Sequence, residues 1–378
     1  MPAPFSQSVT HRIGCGYTPA IVDGHLDLPP YVEHLEAGWN AIGCEKGQAL
    51  ASIKHRSVHL SRAPVCERPP IQDAFLDDVL ERAPPCVDSI GVHLCGPYRS
   101  GMGWLGAGPA YVSTEDNDRA ARRFFDTARE RLPWPILIEN ANFYDVDLGA
   151  IRRAWALANA LCATEGISMV LDLAHLCVHA RNCGISSTMM LGFVDLDLVS
   201  CIHLSGVKKD RRGVWHDAHG EPLAEEVLEL LCAVLRVADQ PLTVVVEHTD
   251  PVWAERPEGY RAEFDRVAEL VANTRRRTPV EVDEERVAVG LLNNLIFARR
   301  EPQLHALLGP SLFRSIVGEW ADQFILERKA APHEIPSFGE HALARAGASI
   351  VDPLHSFRNY VHERVQRILA DRSNPERQ

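Results

Sequence analysis

Trp134–Asn140 reads WPILIEN, Ser168–Asp172 reads SMVLD, and Leu148–Glu165 between them (LGAIRRAWALANALCATE) spaces its apolar residues along one helical face. Strand, amphipathic helix and strand make a crossover unit, because parallel strands need a long connection whereas antiparallel ones close with a tight turn. Both apolar runs stop on or beside a carboxylate, Glu139 and Asp172. That places each acid at the carboxyl end of a buried strand, where parallel α/β folds carry their chemistry.

The alternation extends in both directions. Further strand-like runs lie at Pro19–Asp27, Ala51–Leu60, Val87–Leu94, Leu198–Leu204 and Leu242–His248, with a weaker one at Thr10–Gly16. Amphipathic stretches at Ile71–Arg82, Thr114–Arg131, Glu221–Ala238 and Gly259–Arg275 fall between or after them. Eight such strands within residues 10–278 predict an α/β protein of the (β/α)8 TIM-barrel type. A doubly wound open sheet is the alternative, since strand order is not written in a sequence. Past Thr278–Glu285 the strands stop. Val287–Arg299, Glu301–Ala330 and Asp352–Ala370 read as helices, the last with Asp352 as N-cap and Pro353 in its first turn, so residues 282–373 are expected to form an all-helical C-terminal extension.

Composition narrows the function classes. The 378 residues are 46% hydrophobic and 24% charged, the profile of an ordinary globular protein. Lys and Arg number 39 against 51 Asp and Glu, a net charge of −12 that disfavours nucleic acid and anionic membranes as partners. No run of apolar residues is long enough to span a bilayer, and Met1–Thr10 lacks the features of a signal peptide, so a cytoplasmic location is expected. The ten cysteines include no C-x-x-C pair and fit reduced core thiols.

The ionisable residues cluster at the ends of the runs. His25 with Asp27, His55 with His59, His93, Glu139, Asp172 with His175, His203, and Glu247 with His248 all stand there. Asp217 and His219 follow the His203 strand in a loop. One histidine at a strand end is more often a hydrogen-bonded structural residue than a ligand. Repetition reverses that weighting, because so many charges in one cleft are costly unless cations neutralise them. Imidazoles and carboxylates without thiolates suit zinc, manganese or non-haem iron, and their number exceeds the needs of one ion, so two or three ions are expected.

Other features carry less. His34, His305, His333, His341, His355 and His362 read as surface or packing residues, and the glycines of Gly101–Gly108 as a lid loop rather than a phosphate cradle. Lys208–Arg212, with Lys208 and Arg211 foremost, offers a basic clamp for a substrate carboxylate near the mouth. No nucleophile elbow is present.

The ordered series Ile138–Glu139–Asn140, Leu171–Asp172–Leu173–Ala174–His175, Ile202–His203–Leu204–Ser205–Gly206, Asp217–Ala218–His219–Gly220 and Val246–Glu247 resembles the multinuclear non-haem iron-dependent oxidases over roughly residues 10–275. The resemblance implies a (β/α)8 barrel holding two or three irons, with dioxygen as co-substrate, that remodels a cysteine of a ribosomally made peptide. It also implies a small partner protein that presents the peptide. In that reading His55 or His59 and His93 are early ligands and Glu139 bridges. Asp172, His175, His203, Asp217, His219 and Glu247 complete the set, with Glu139, Asp172 and His175 nearest the chemistry. The chain departs from common members at Val92, where they carry Glu, and at His175, where many carry Asn. Its long extension most resembles the branch that excises the β-carbon of a carrier peptide's C-terminal cysteine in 3-thiaglutamate biosynthesis. The competing class is a divalent-metal TIM-barrel sugar isomerase or endonuclease-like enzyme.

Overall fold

A computed structural model describes residues 10–39, 53–83, 86–98, 109–140, 148–238 and 240–274. In chain order the elements begin with β1 (Arg12–Gly16), α1 (Pro19–Val22), β2 (Val32–Gly38), β3 (His55–Leu60), α2 (Pro69–Arg82), β4 (Ser89–His93) and α3 (Glu115–Arg131). They continue with β5 (Ile136–Glu139), α4 (Leu148–Cys162), β6 (Ile167–Asp172), α5 (Leu173–Cys183), α6 (Ser187–Leu191) and β7 (Val199–Leu204). The last are β8 (Gly206–Lys209), β9 (Trp215–Ala218), α7 (Glu225–Val237), β10 (Thr243–Val246) and α8 (Pro257–Asn273). Eight strands, all but β8 and β9, pair in parallel and close a ring in the order β1-β10-β7-β6-β5-β4-β3-β2. Closure selects the barrel over the open sheet.

The helices form where their sequences demand. In α3, Thr114 caps the first turn by accepting the Asn117 N–H, with Glu115, Asp116 and Asp118 at the positive helix end and Arg129 and Arg131 at the other. Its inner face buries Phe124 and Phe125 completely, each worth roughly 1.5–3 kcal/mol of transfer free energy. Helix α7 buries Val227, Leu228, Leu231, Val234 and Leu235 in the same way. No helix among the described residues is long and apolar enough to cross a membrane.

One expected strand is corrected. Pro19–Asp27 is not a strand: Pro19 starts the short helix α1, and Gly24 takes a positive φ of 75° in the turn after it. The second barrel strand is β2, whose VEHLEAG sequence hides it because polar residues occupy its inward positions. His34, read as a surface or packing residue, is buried there on a strand. A second difference follows β7, where the expected loop forms the antiparallel hairpin β8–β9.

The chain divides into two compact units, Met1–Thr278 and Pro279–Gln378. Every described residue belongs to the first. The helical extension expected at 282–373, the Gly101–Gly108 loop and His305, His333, His341, His355 and His362 lie outside the described residues.

Candidate metal centre

Inside the barrel, strand periodicity stacks two layers. Leu137, Val170, Cys201 and Val245 form an apolar cluster separate from the main core. Two residues further along stand Glu139, Asp172 and His203 at their strand ends and Glu247 just past β10, which a period of two returns to the same inward face. Strands β2, β3 and β4 repeat the step from His34 to Glu36, Ser57 to His59 and Gly91 to His93. The barrel thus has a mainly apolar layer capped by imidazoles and carboxylates.

Sterics confirm how closely these residues meet. A Cβ at Gly91 would lie 2.9 Å from His59 Nδ1, so only glycine leaves room for that ring. A Cβ at Gly16, the one member of the upper layer without a side chain, would lie 2.7 Å from Thr249 Cγ2. Thr249 in turn holds His219, its Oγ1 lying 2.8 Å from Nδ1.

Glu139 is the hub. Its Oε1 lies 3.1 Å from His93 Nε2 and 3.2 Å from His175 Nδ1, and its Oε2 lies 3.1 Å from His59 Nε2 and 3.3 Å from His203 Nδ1. Neither oxygen makes a hydrogen bond of good geometry, and buried Asp172 Oδ2 and both His203 nitrogens share that condition. Four triads of ligand atoms fall within coordination range: Glu36–His59–His203, His59–His93–Glu139, Glu139–Asp172–His175 and Asp172–His203–Glu247. Side chains that converge closely yet leave buried oxygens unbonded fit divalent cations, whose charge would offset carboxylates taken out of water. The donors are oxygen and nitrogen with no sulfur, which suits iron, manganese or zinc.

Neighbouring groups fix the orientation. Asn140 clamps the Asp172 backbone, accepting its N–H at 2.8 Å and donating to its carbonyl at 3.0 Å. The Asn140 carbonyl faces His175 Nδ1 at 2.8 Å, which makes Nδ1 a donor and leaves Nε2 as the nitrogen open to a metal. That Nε2 points at Asp172 Oδ2 (3.6 Å) and Asp217 Oδ2 (3.7 Å). Asp217, on β9, accepts from Ser205 Oγ and lies 2.7 Å from His219 Nε2. The His219 side chain, 32% exposed against 0% for Asp172 and His203, marks the open side of the site.

Protons balance the charges when no cation does. Burial lowers His203, but Glu247, Glu36 and Glu139 outweigh it and raise it well above the usual histidine range. Burial raises Glu139, yet His93, His59 and His203 hold it well below the usual carboxylate range. For Asp172 burial prevails, helped by Glu139, Asp217 and Glu247, and lifts it to about 7.

The mouth therefore gathers His59, His93, Glu139, Asp172, His175, His203, Asp217, His219 and Glu247. It does not gather His55. Four residues before His59 on one strand, His55 sits about 13 Å away, toward the amino end of the barrel, and its Nδ1 lies 3.0 Å from Asp88. Lys208 pairs with His216 in the hairpin register, on the face opposite Val207 and Asp217, and forms an ion pair with Glu221. Arg211 is exposed in the hairpin turn. His25 and Asp27 lie in the segment between α1 and β2, and His248 turns away to stack on Trp253 at 4.1 Å. The sequence reading missed Glu36, whose only signal was its place two residues beyond His34 on an unrecognised strand.

Residues 107–271 match the family described as RiPP precursor modification enzyme MbnB/TglH/ChrH. The family match holds Glu139, Asp172, His175, His203, Asp217, His219 and Glu247, whereas Glu36, His59 and His93 precede it. Among curated relatives, a UPF0276 protein of Rhizorhabdus wittichii is 30% identical over 33% of this chain and 44% of its own length. One from Anaeromyxobacter sp. is 25% identical over 66% of this chain and 90% of its own length. One from Bordetella bronchiseptica is 30% identical over 49% and 64%. The chain thus spans less than half the length of the first of these relatives. Among solved structures, a xylose isomerase domain containing protein from Salmonella typhimurium aligns with a TM-score of 0.47 at 11% identity, covering 71% of this chain and all of that one. The barrel assignment rests on the strand order alone.

Proposed function

We propose that this mouth holds two or three iron ions and that the protein is a dioxygen-dependent oxidase acting on a cysteine of a ribosomally made peptide. The observation that carries the reading is Glu139, a fully buried carboxylate ringed by four imidazoles with neither oxygen hydrogen-bonded, in a stretch that matches peptide-modifying enzymes. His59, His93, Glu139, Asp172, His203 and Glu247 would hold the inner ions, and His175, Asp217 and His219 would hold one on the open side. Bound iron supplies redox chemistry with dioxygen and a Lewis acid for a thiolate.

The protein's own groups set the conditions for that chemistry. Leu137, Val170, Cys201 and Val245 keep water out from below. Asn140 fixes the His175 tautomer, and Thr249 holds the His219 ring in place. The peptide cysteine would approach past His219, the exposed member of the set. Arg211 and Arg212, in the hairpin turn and without an ion pair among the described residues, would meet a substrate carboxylate. A small partner protein would present the peptide, and residues 282–373 would serve docking of that partner or of a peptide leader.

Anaerobic loading with Fe(II) and elemental analysis test the centre, with at least two irons per chain expected. Adding a cysteine peptide and air should then produce a visible absorption band that the serine version of the peptide does not give. One ion or fewer, or turnover of a sugar phosphate instead, would reject the oxidase in favour of a divalent-metal isomerase.

A further inference from the structure

Glu36 faces the cluster from the far side of two imidazoles. His203 directs Nδ1 toward Glu139 Oε2 (3.3 Å) and Glu247 Oε2 (3.4 Å), and Nε2 toward Glu36 Oε1 (3.1 Å). His59 repeats the arrangement, with Nε2 3.1 Å from Glu139 Oε2 and Nδ1 3.7 Å from Glu36 Oε1. A neutral imidazole has one lone pair and one N–H, so it serves one side as ligand and the other as donor. His93, Asp172 and Glu247 gather on the Glu139 side. Metal on that side would take the lone pairs and leave the N–H groups turned toward Glu36, although in the metal-free protein neither His59 Nδ1 nor His203 Nε2 makes a hydrogen bond of good geometry.

The remaining Glu36 oxygen is also committed. Oε2 accepts from Ser57 Oγ at 3.0 Å, and Ser57 Oγ lies 2.9 Å from His34 Nε2. Because the hydroxyl proton goes to Glu36, the Ser57 oxygen accepts from His34 Nε2–H. Glu36, Ser57 and His34 are all buried, on adjacent strands β2 and β3.

We propose that Glu36 is a positioning residue, an outer carboxylate that fixes which nitrogens of His59 and His203 face the metals, and that Ser57 and His34 hold it in place. This rests on the metal-centre reading above. It also assigns the Glu36–His59–His203 triad to the support of that centre rather than to an ion of its own.

Co(II) provides the test, because its visible bands report ligand geometry. Wild-type, Glu36→Gln, Glu36→Ala and Ser57→Ala proteins are loaded anaerobically, and stoichiometry, affinity by chelator competition and absorption spectrum are measured. All four should bind the same number of ions at saturation. Affinity should fall about 100-fold for Glu36→Ala, about 10-fold for Glu36→Gln, which keeps an acceptor oxygen, and less for Ser57→Ala. The bands should shift in Glu36→Ala and return part-way in Glu36→Gln. If Glu36→Ala does not fold, Glu36→Gln decides. Loss of one whole ion, with the others held at wild-type affinity, would make Glu36 a ligand and overturn the proposal. Wild-type affinity and spectrum in the Glu36 variants would overturn it as well. Wild-type protein that binds no ion fails at the first step, which rejects the metal centre and this role together and is distinct from either variant result.

Discussion

Asp172 ends strand β6 and caps helix α5, so its Oδ1 accepts the His175 backbone N–H at 2.7 Å while its Oδ2 faces the His175 ring at 3.6 Å. Strand end, helix cap and member of a candidate metal-binding triad are one residue. Asn140 holds this junction through two buried hydrogen bonds to the Asp172 backbone. Asn140→Ala should therefore destabilise the metal-free protein by about 2–4 kcal/mol, since it leaves buried backbone groups unpaired. Urea denaturation measures this, and an effect below about 0.5 kcal/mol would show that the clamp is idle.

Glu139→Gln and His203→Ala should each abolish turnover and lower metal content while circular dichroism stays that of the wild type. Both side chains lie in the upper layer, and the packing of strands on helices does not depend on them. Near wild-type metal content in either variant would remove that residue from the ligand set.

Gly91→Ala tests the centre without touching a ligand. The added methyl falls 2.9 Å from His59 Nδ1 and must displace the ring or the strand. Metal affinity should drop by about tenfold or more, the usual effect of disturbing a ligand's support. Isothermal titration of the two proteins with Fe(II) under argon gives the ratio, and equal affinities would place His59 outside the centre.

Acidity should act on metal uptake with a definite sign. Burial lifts Asp172 to about 7 from an ordinary 3.8. Burial opposes the rise of His219 from 6.5, but Asp217 and then Glu247 and Asp172 carry it to about 10. Both folded-state values are raised, so the stability they give the metal-free protein is complete at low pH. It is lost as pH climbs through about 7 for Asp172 and about 10 for His219. Metal ions replace these protons and bind more tightly over the same range. From about pH 6 to about pH 9 the melting temperature of the metal-free protein should fall, while the increment gained on metal loading grows. An increment that shrinks with pH would contradict the role given to these two residues.

The hairpin turn should govern substrate affinity alone. Replacing Arg211 and Arg212 by Gln should raise KM for a peptide bearing a free carboxylate several-fold, with unchanged metal content and melting temperature, because both side chains are exposed. An unchanged KM would assign them to the solvated surface.

Much of this was legible in the chain. Apolar runs of strand length, each separated by an amphipathic stretch, specify parallel crossover units, since burial on both faces demands continuous apolar residues. Residues such as Glu139, Asp172 and His203 stand out because each interrupts or closes such a run. The same rule concealed β2. Its inward positions, His34 and Glu36, are polar and join Ser57 in a buried hydrogen-bonded chain, so VEHLEAG lacks the apolar signature, and the nearby Pro19–Asp27 run took its place.

Sequence alone determined the fold class and most of the ionisable set, because strand and helix periodicities are local and the carboxyl ends of parallel strands must share one mouth. Tertiary structure decided the rest. Whether His55 or His59 reaches the mouth depends on height along β3, and whether Lys208 faces it depends on the hairpin register. Ring closure brings Glu36 on β2 against His203 on β7, although 167 residues separate them in the chain. Such contacts arise from closure of the whole sheet, which no local pattern encodes.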